Sequence, residues 1–473
     1  MSWEIRADYE QQHLFPRSLE EWVPEDHPAR FLREFVDSLD LAGLGFRERE
    51  SVEGRPSYAP DLLLKVWLYG YVHKIRSTRA LERACREHVS LLWLTGCHEP
   101  DHNTLWRFWR DNQEALRRVF GEVVKVSVKA GVVDTVLHAV DGTKVQSRGS
   151  ARSAWHRKDL ERLSREVAEF LEETETAIEQ AEKHERGEYR LPEELRDREA
   201  LRQRIQEALD ELAEEDREHL HPAEPEAQMM KCEGQVAFAY NAQLAVDAGS
   251  GLIVGQDVVT AGSDNHQLVP MLEQVHEQVG QVAETTVADG GYYSGQSVAG
   301  AEQKGFPVVV NIPKRLREEG TQVGPYASSR FVWDAEQDVC RCPQGEELHL
   351  EREREKPDRG YSVREYRCQS FRKCGVRWEC SQDQKGRRVE VGPYQAAVAR
   401  HRQRAERLDS REALKLRGQV VEPVIGTLKE AMGFRRFTGW GQSAAQTQWA
   451  LTCTAFNLKK LYRWWLGGQL AFG

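Results

Sequence analysis

Thr135-Val136-Leu137-His138-Ala139-Val140-Asp141-Gly142-Thr143 is a β-rich run that carries an acid directly onto a glycine. Thr285-Thr286-Val287-Ala288-Asp289-Gly290-Gly291-Tyr292 repeats the pattern well downstream. β-Branched residues favour strands and Asp-Gly favours turns, so both carboxylates are expected at strand ends where the chain turns. A third acid, Glu422, stands in Val421-Glu422-Pro423-Val424-Ile425-Gly426-Thr427-Leu428-Lys429. It follows a basic, helix-patterned segment, and Lys429 lies two helical turns further along one face.

Taken singly, each Asp-Gly reads as a turn dipeptide. Together the three acids suggest chemistry. Carboxylates brought close repel one another and raise each other's pKa unless cations sit between them. Two hard divalent ions about 3.5–4 Å apart can activate an attacking oxygen and stabilise a leaving one at phosphorus. Asp141, Asp289 and Glu422 are therefore the candidate catalytic and Mg²⁺-binding residues, with Mn²⁺ as the alternative ion.

The spacing of these blocks, with Arg417-Gly-Gln-Val-Val-Glu422-Pro-Val-Ile-Gly-Thr-Leu-Lys429, resembles the DDE transposases of bacterial insertion sequences. Gly54-Arg55-Pro56-Ser57-Tyr58, Leu68-Tyr69-Gly70-Tyr71, Arg76-Ser77-Thr78-Arg79 and Pro100-Asp101-His102-Asn103-Thr104 with Phe108 resemble the amino-terminal helical domain of the same family. Tyr240-Asn241-Ala242-Gln243, Ala245-Val246-Asp247 and Asn457-Leu458-Lys459-Lys460 also fit. The resemblance implies an RNase H-like α/β core, DNA cleavage at element ends and strand transfer into target DNA. It also implies double-stranded DNA as partner, a homodimer or higher assembly on DNA, and Arg417 and Lys429 as DNA contacts. Leu414 stands where the family usually has Tyr, three positions before Arg417, and Ile425 stands where an aromatic is more common. A decayed relative that only binds DNA, and a nuclease of the same fold without strand transfer, are the competing readings.

The chain has 473 residues and 40% hydrophobic content, enough for several buried cores. No run approaches the roughly 20 apolar residues of a membrane span, and Met1-Ser-Trp-Glu-Ile-Arg-Ala-Asp-Tyr-Glu10 lacks the apolar centre of a signal peptide. A cytoplasmic, nucleoid-associated location is expected. A net charge of −10 spread evenly would be unsuited to DNA, but residues 157–220 hold 22 Asp and Glu against 12 Lys and Arg, so the rest of the chain is formally neutral.

Within that acidic stretch, Leu160, Leu163, Val167, Phe170 and Leu171, then Leu201, Ile205, Ala208, Leu209 and Leu212, recur at helical spacing, with Gly187 and Leu191-Pro192 between them. The pattern predicts an antiparallel helical hairpin over 154–222, either a solvated surface or a partner contact. Arg400, Arg402, Arg404, Arg407, Arg411, Lys415 and Arg417 form a basic run that either tracks a phosphate backbone or pairs with its own acids. Residues 1–130 are helical by pattern, with starts at Pro60-Asp61, Ser77 and Asp101. They suit a helix-turn-helix or plain three-helix packing.

Five of nine cysteines, Cys340, Cys342, Cys368, Cys374 and Cys380, fall within 319–392. Disulfides are disfavoured in a cytoplasmic protein, so Cys342, Cys368, Cys374 and Cys380 are candidate Zn²⁺ ligands of a small ribbon, with Cys340 as substitute. Reduced thiols in a β-rich insertion are the alternative. The catalytic core is then expected from 131–150, 228–318 and 393–473. Asp247 is read as a strand-end turn cap, though it could stand in for Asp141 or Asp289, and His138 as a core residue.

Overall fold

The computed structural model describes residues 18–47, 57–182, 193–214, 216–313, 324–334, 336–356 and 360–472. Gly54-Arg55-Pro56, the expected hairpin break at Gly187 and Leu191-Pro192, and residues 1–10 lie outside these, as does the Leu171 side chain. The chain divides into two compact units, 1–132 with 450–473, and 133–449.

The first unit is helical: α1 (Pro28–Asp37), α2 (Pro60–Val72), α3 (Thr78–Glu87), α4 (Val89–Thr95), α5 (His102–Asp111) and α6 (Gln113–Lys129). The starts read from the sequence hold. Pro60 opens α2 at its first position, and the Asp101 carboxylate accepts the Thr104 N–H at 2.6 Å, capping α5. The shared face of α3, Leu81, Ala84 and Cys85, is buried. Phe31 on α1 packs against the rings of Tyr462, Trp465 and Phe472 at 5.4–5.8 Å. That aromatic cluster places residues 450–473 in this unit and not with the sheet, where 393–473 was expected.

The second unit is mixed α/β. Its strands and helices run β1 (Leu137–Gln146), β2 (Trp155–His156), α7 (Arg157–Glu182), α8 (Glu193–Glu214), β3 (His219–Leu220), β4 (Gln228–Cys232), β5 (Gln235–Asp247), β6 (Ile253–Val259), α9 (Leu268–Val279), β7 (Thr285–Ala288), α10 (Gly295–Gln303) and β8 (Val308–Val310). The main sheet has six strands in the order β4-β5-β1-β7-β8, with β6 also on β5. β1, β5 and β6 pair antiparallel, whereas β7 and β8 join parallel to β1. α9 leads from β6 into β7, and α10 makes the crossover from β7 to the parallel β8.

Asp141 differs from expectation: it lies inside β1, not at a strand end. The long β5 supplies a partner at every step from His138 to Gln146, so the ladder runs through the Asp-Gly pair without a turn. Gly142 is there for space. A Cβ would stand 2.7 Å from Gln243 Nε2, 2.9 Å from Asp264 Oδ1 and 3.0 Å from Asn241 Oδ1.

The acidic hairpin is present as α7 and α8, closed at its base by the short pair β2–β3. Leu160, Val167, Ile205, Ala208, Leu212 and Leu220 form its buried seam. Leu163, Phe170 and Leu201, read on the same stripe, are exposed.

Residues 332–391 form a separate antiparallel sheet: β9 (Val332–Asp334), β10 (Val339–Arg341), β11 (Glu347–Lys356), β12 (Tyr361–Cys368) and, after the short α11 (Arg377–Cys380), β13 (Arg388–Val391). Helices α12 (Gln395–Ala405) and α13 (Leu408–Gly426) return the chain to the main sheet, where α13 lies against β1 and β7. The last helix, α14 (Gln442–Leu466), begins in this unit.

Trp449 anchors the start of α14 to the main sheet. It is fully buried, donates its indole N–H to Gln243 O at 3.0 Å and meets the Phe434 ring at 5.8 Å. Trp449→Ala is expected to cost ~3–5 kcal/mol of this unit's stability, measured by chemical denaturation. A loss under ~1 kcal/mol would show that the anchor is dispensable.

Candidate active site

Strand register builds the centre of the site. In the parallel pairing of β1 with β7, Val140 faces Ala288, so the next residues, Asp141 and Asp289, emerge side by side. Neighbouring strands lie about 4.8 Å apart, which puts the two carboxylates within reach of one cation. One cation answers both. From α13, Arg417 Nη1 donates to Asp141 Oδ2, while its Nη2 lies 3.6 Å from Asp289 Oδ1.

The two acids are not equivalent. Asp141 is the more enclosed, with 20% side-chain exposure against 46% for Asp289. Burial holds the Asp141 carboxyl above the ordinary aspartate range. The Arg417 guanidinium and the Gly142 N–H at 2.8 Å pull it down, and the charge on Asp289 pushes it up.

Glu422 is on the helix that delivers Arg417, but its side chain is exposed and lies back along α13 over Gly418, where a Cβ would meet its Oε1 at 3.0 Å. The structure therefore brings Asp141, Asp289 and Arg417 together and leaves Glu422 one step along the same helix. Past Pro423 and Gly426 the helix widens into a π-turn over Thr427–Ala431. This turn carries Lys429, whose ammonium donates to Lys144 O on β1 at 3.2 Å and lies 3.6 Å from Glu233. Both basic residues of the sequence reading thus reach β1, Arg417 at a side chain and Lys429 at the backbone.

The rest of the basic run is partly spoken for. Arg400 forks onto Glu302 at 2.7 and 3.0 Å, and Arg404 reaches Val308 O. Asp247 caps a turn, its Oδ2 accepting the Ser250 N–H at 2.8 Å and the Ser250 hydroxyl at 2.5 Å. His138 is a buried core residue 3.6 Å from Asp247, and burial pushes its pKa down to about 4. Asp264, which the sequence marks with Asp247 as a further acid of the same core, belongs to a polar group beside the acids whose meeting the sequence did not reveal: Lys144, Asn241, Gln243, Asp264 and Tyr292. Tyr240-Asn241-Ala242-Gln243 was visible as a motif, but nothing in it announced that its alternate side chains meet Asp264.

Among the described residues, no group of three or more His, Cys, Asp or Glu is gathered closely enough to hold a metal ion. The acid pair nevertheless suits a hard cation, since a guanidinium already bridges it. On the second sheet, Cys342, Cys368 and Cys380 pack against its core, and the thiols of Cys342, Cys374 and Cys380 all help raise the Cys368 pKa, after burial. Cys342 Sγ accepts the N–H groups of Gln344 and Glu346, each at 3.3 Å.

Two family patterns match the chain. Residues 341–462 match a transposase DDE domain, and residues 17–111 match the transposase domain DUF772. The first includes Arg417, Glu422 and Lys429; Asp141 and Asp289 fall between the two matches. A search of curated proteins finds no match. Among solved structures, the cryo-EM structure of piggyBac transposase synaptic complex with hairpin DNA aligns with 10% identity and a TM-score of 0.32. That alignment covers 92% of this chain and 74% of the other, a likeness too loose to carry argument.

The raised pKa of Asp141 fixes a sign. The folded state favours the protonated acid, so wild-type stability falls as pH rises from the ordinary aspartate value through the folded one. Asp141→Asn escapes that loss. In EDTA the variant is expected to melt above the wild type at neutral pH, the gap closing as pH falls toward about 4. A variant that melts below the wild type at neutral pH would mean that the Arg417 pair outweighs burial.

Proposed function

We propose that this chain, whose two matched regions mark it as an insertion-sequence DDE transposase, cuts DNA at the ends of its mobile element and joins the freed ends to target DNA. The observation that carries this reading is the β1–β7 register, which seats Asp289 beside Asp141 with one guanidinium shared between them. The main sheet, four antiparallel strands (β4, β5, β6 and β1) continued by two parallel ones, is compatible with the RNase H-like core that the resemblance implied.

Asp141, Asp289 and Glu422 would hold the divalent ions, two Mg²⁺ or Mn²⁺. Bound there, the ions would supply activation of the attacking oxygen and stabilisation of the leaving one. The protein's own part is placement. Asp141 is fixed mid-strand and Asp289 at the end of its neighbour, so their oxygens converge without a mobile loop between them. Arg417 presents a planar fork at the same carboxylates, so a phosphate drawn to the site meets a bidentate donor. Lys429, held to β1 at Lys144, adds a second cation along the strand. Cleavage is hydrolysis: water oxygen bonds to phosphorus as the bond to the 3′-oxygen breaks. Joining repeats the displacement: the freed 3′-hydroxyl oxygen bonds to a target phosphorus as the target's own phosphorus–3′-oxygen bond breaks, leaving a target 3′-hydroxyl.

The helical region 1–130 is assigned to recognition of double-stranded DNA through a helix-turn-helix-like pair, with two or more chains assembled on the element ends. The test is incubation of purified protein with labelled terminal DNA and a target plasmid, in Mg²⁺ or EDTA. Joined products in Mg²⁺ alone are expected; cleavage without joining would make the chain a nuclease, and retention without reaction a DNA binder. Asp141→Asn, Asp289→Asn and Glu422→Gln should each keep terminal-DNA binding and lose about a thousandfold or more in cleavage and joining, ~4 kcal/mol of barrier. Joining at wild-type rate by any one of them removes that residue from the site.

Zinc at Cys342, Cys368, Cys374 and Cys380 is the second cofactor in this reading, supported by the packing of Cys342, Cys368 and Cys380 against one small core and by the two N–H groups that Cys342 Sγ accepts. Metal analysis after dialysis should return about one zinc per chain. A content near zero retires the assignment and leaves the cysteines as reduced core thiols.

A further inference from the structure

Asp264, in the loop between β6 and α9, stands against the backbone of both acid-bearing segments. A Cβ on Gly142, the residue after Asp141, would lie 2.9 Å from its Oδ1, and a Cβ on Gly291, two after Asp289, would lie 3.2 Å from its Oδ2. Its own hydrogen bonds run elsewhere. Oδ1 accepts Asn241 Nδ2 at 2.6 Å and Gln243 Nε2 at 2.8 Å, with Lys144 Nζ at 3.6 Å. Asn241 and Gln243 are fully buried on β5, facing Lys144 and Gly142 of β1 in register.

The chain of contacts continues to the other acid. Gln243 Oε1 accepts the hydroxyl of Tyr292, which is fully buried and closes the turn that begins at Asp289. Burial keeps the Tyr292 phenol well above its ordinary pKa, and the charges of Asp264, Asp141 and Asp289 push it further, so it remains a donor. Gln243 is thereby held at both ends, its amide nitrogen donating to a carboxylate and its oxygen accepting from a phenol. With two amide donors and an ammonium at hand, Asp264 has its charge answered within the protein.

We infer that Asp264 is a positioning residue: through Gln243 and Tyr292 it locks the turn carrying Asp289 against the strand carrying Asp141, and so sets the separation of the two carboxylates. The inference rests on the reading of Asp141 and Asp289 as a cation-holding pair. Its role is to orient the groups that hold the cation, a task whose loss typically weakens metal binding 10–100-fold. Both hydrogen bonds use one carboxylate oxygen, so an amide at this position can keep them.

The experiment uses the full chain without DNA and two readouts: Mn²⁺ binding, followed by the electron paramagnetic resonance signal of the free ion, and amide hydrogen exchange over 287–293. Asp264→Ala and Tyr292→Phe should weaken Mn²⁺ binding about tenfold or more and speed exchange in the turn, while Asp264→Asn stays within about threefold of wild type in both. Wild-type behaviour of Asp264→Ala overturns the inference. So does an Asp264→Asn variant as weak as Asp264→Ala, which would make the charge itself the functional group. Should the alanine variant fail to fold, Asp264→Asn and Tyr292→Phe decide. If the wild type binds no Mn²⁺, the cation-holding reading fails by itself, and exchange in the turn still judges whether Asp264 holds it.

Discussion

The parallel pairing of β1 with β7 is the constraint on which the site depends. It sets two aspartates on adjacent strands, one inside the ladder and one at its end, at a spacing that backbone hydrogen bonds dictate. Two like charges at that distance are costly unless a cation joins them. Everything around the pair follows from this: a helix that crosses the sheet to bring Arg417, a glycine that makes room, and a buried polar group that holds the flanking turn.

The same arrangement ties the helix α13 to the strands. Arg417 and Lys429 belong to one continuous stretch that changes pitch between them, from α-helix to π-turn after Pro423. The stretch brings two cations to different points of β1, one to the carboxylate of Asp141 and one to the carbonyl of Lys144. Glu422 sits between them on the helix, its carboxylate turned back over Gly418.

Much of this was legible in the residues. Val and Thr runs ending in Asp-Gly located β1 and β7, and the start signals at Pro60 and Asp101 located two helices of the amino-terminal unit. The hairpin was written in the spacing of Leu160, Val167, Ile205 and Leu212. The misreadings have a common cause, partners distant in sequence. Asp-Gly is a turn dipeptide when alone, but β5 pairs straight through it. Residues 450–466 continue α14, yet the aromatic partners of Tyr462 and Trp465 lie in α1. Asp264 gave no local sign of its place, because its meeting with Gln243 and Gly291 is a product of the sheet and not of any short motif.

The strands Trp155–His156 and His219–Leu220 pair with each other, so the ends of the α7–α8 excursion leave the core side by side. A detour whose two feet touch adds little closure entropy to the body it leaves, however long it grows. The acidic helices thus stand on a graft point: shortening or lengthening them would leave the strand carrying Asp141 in its register.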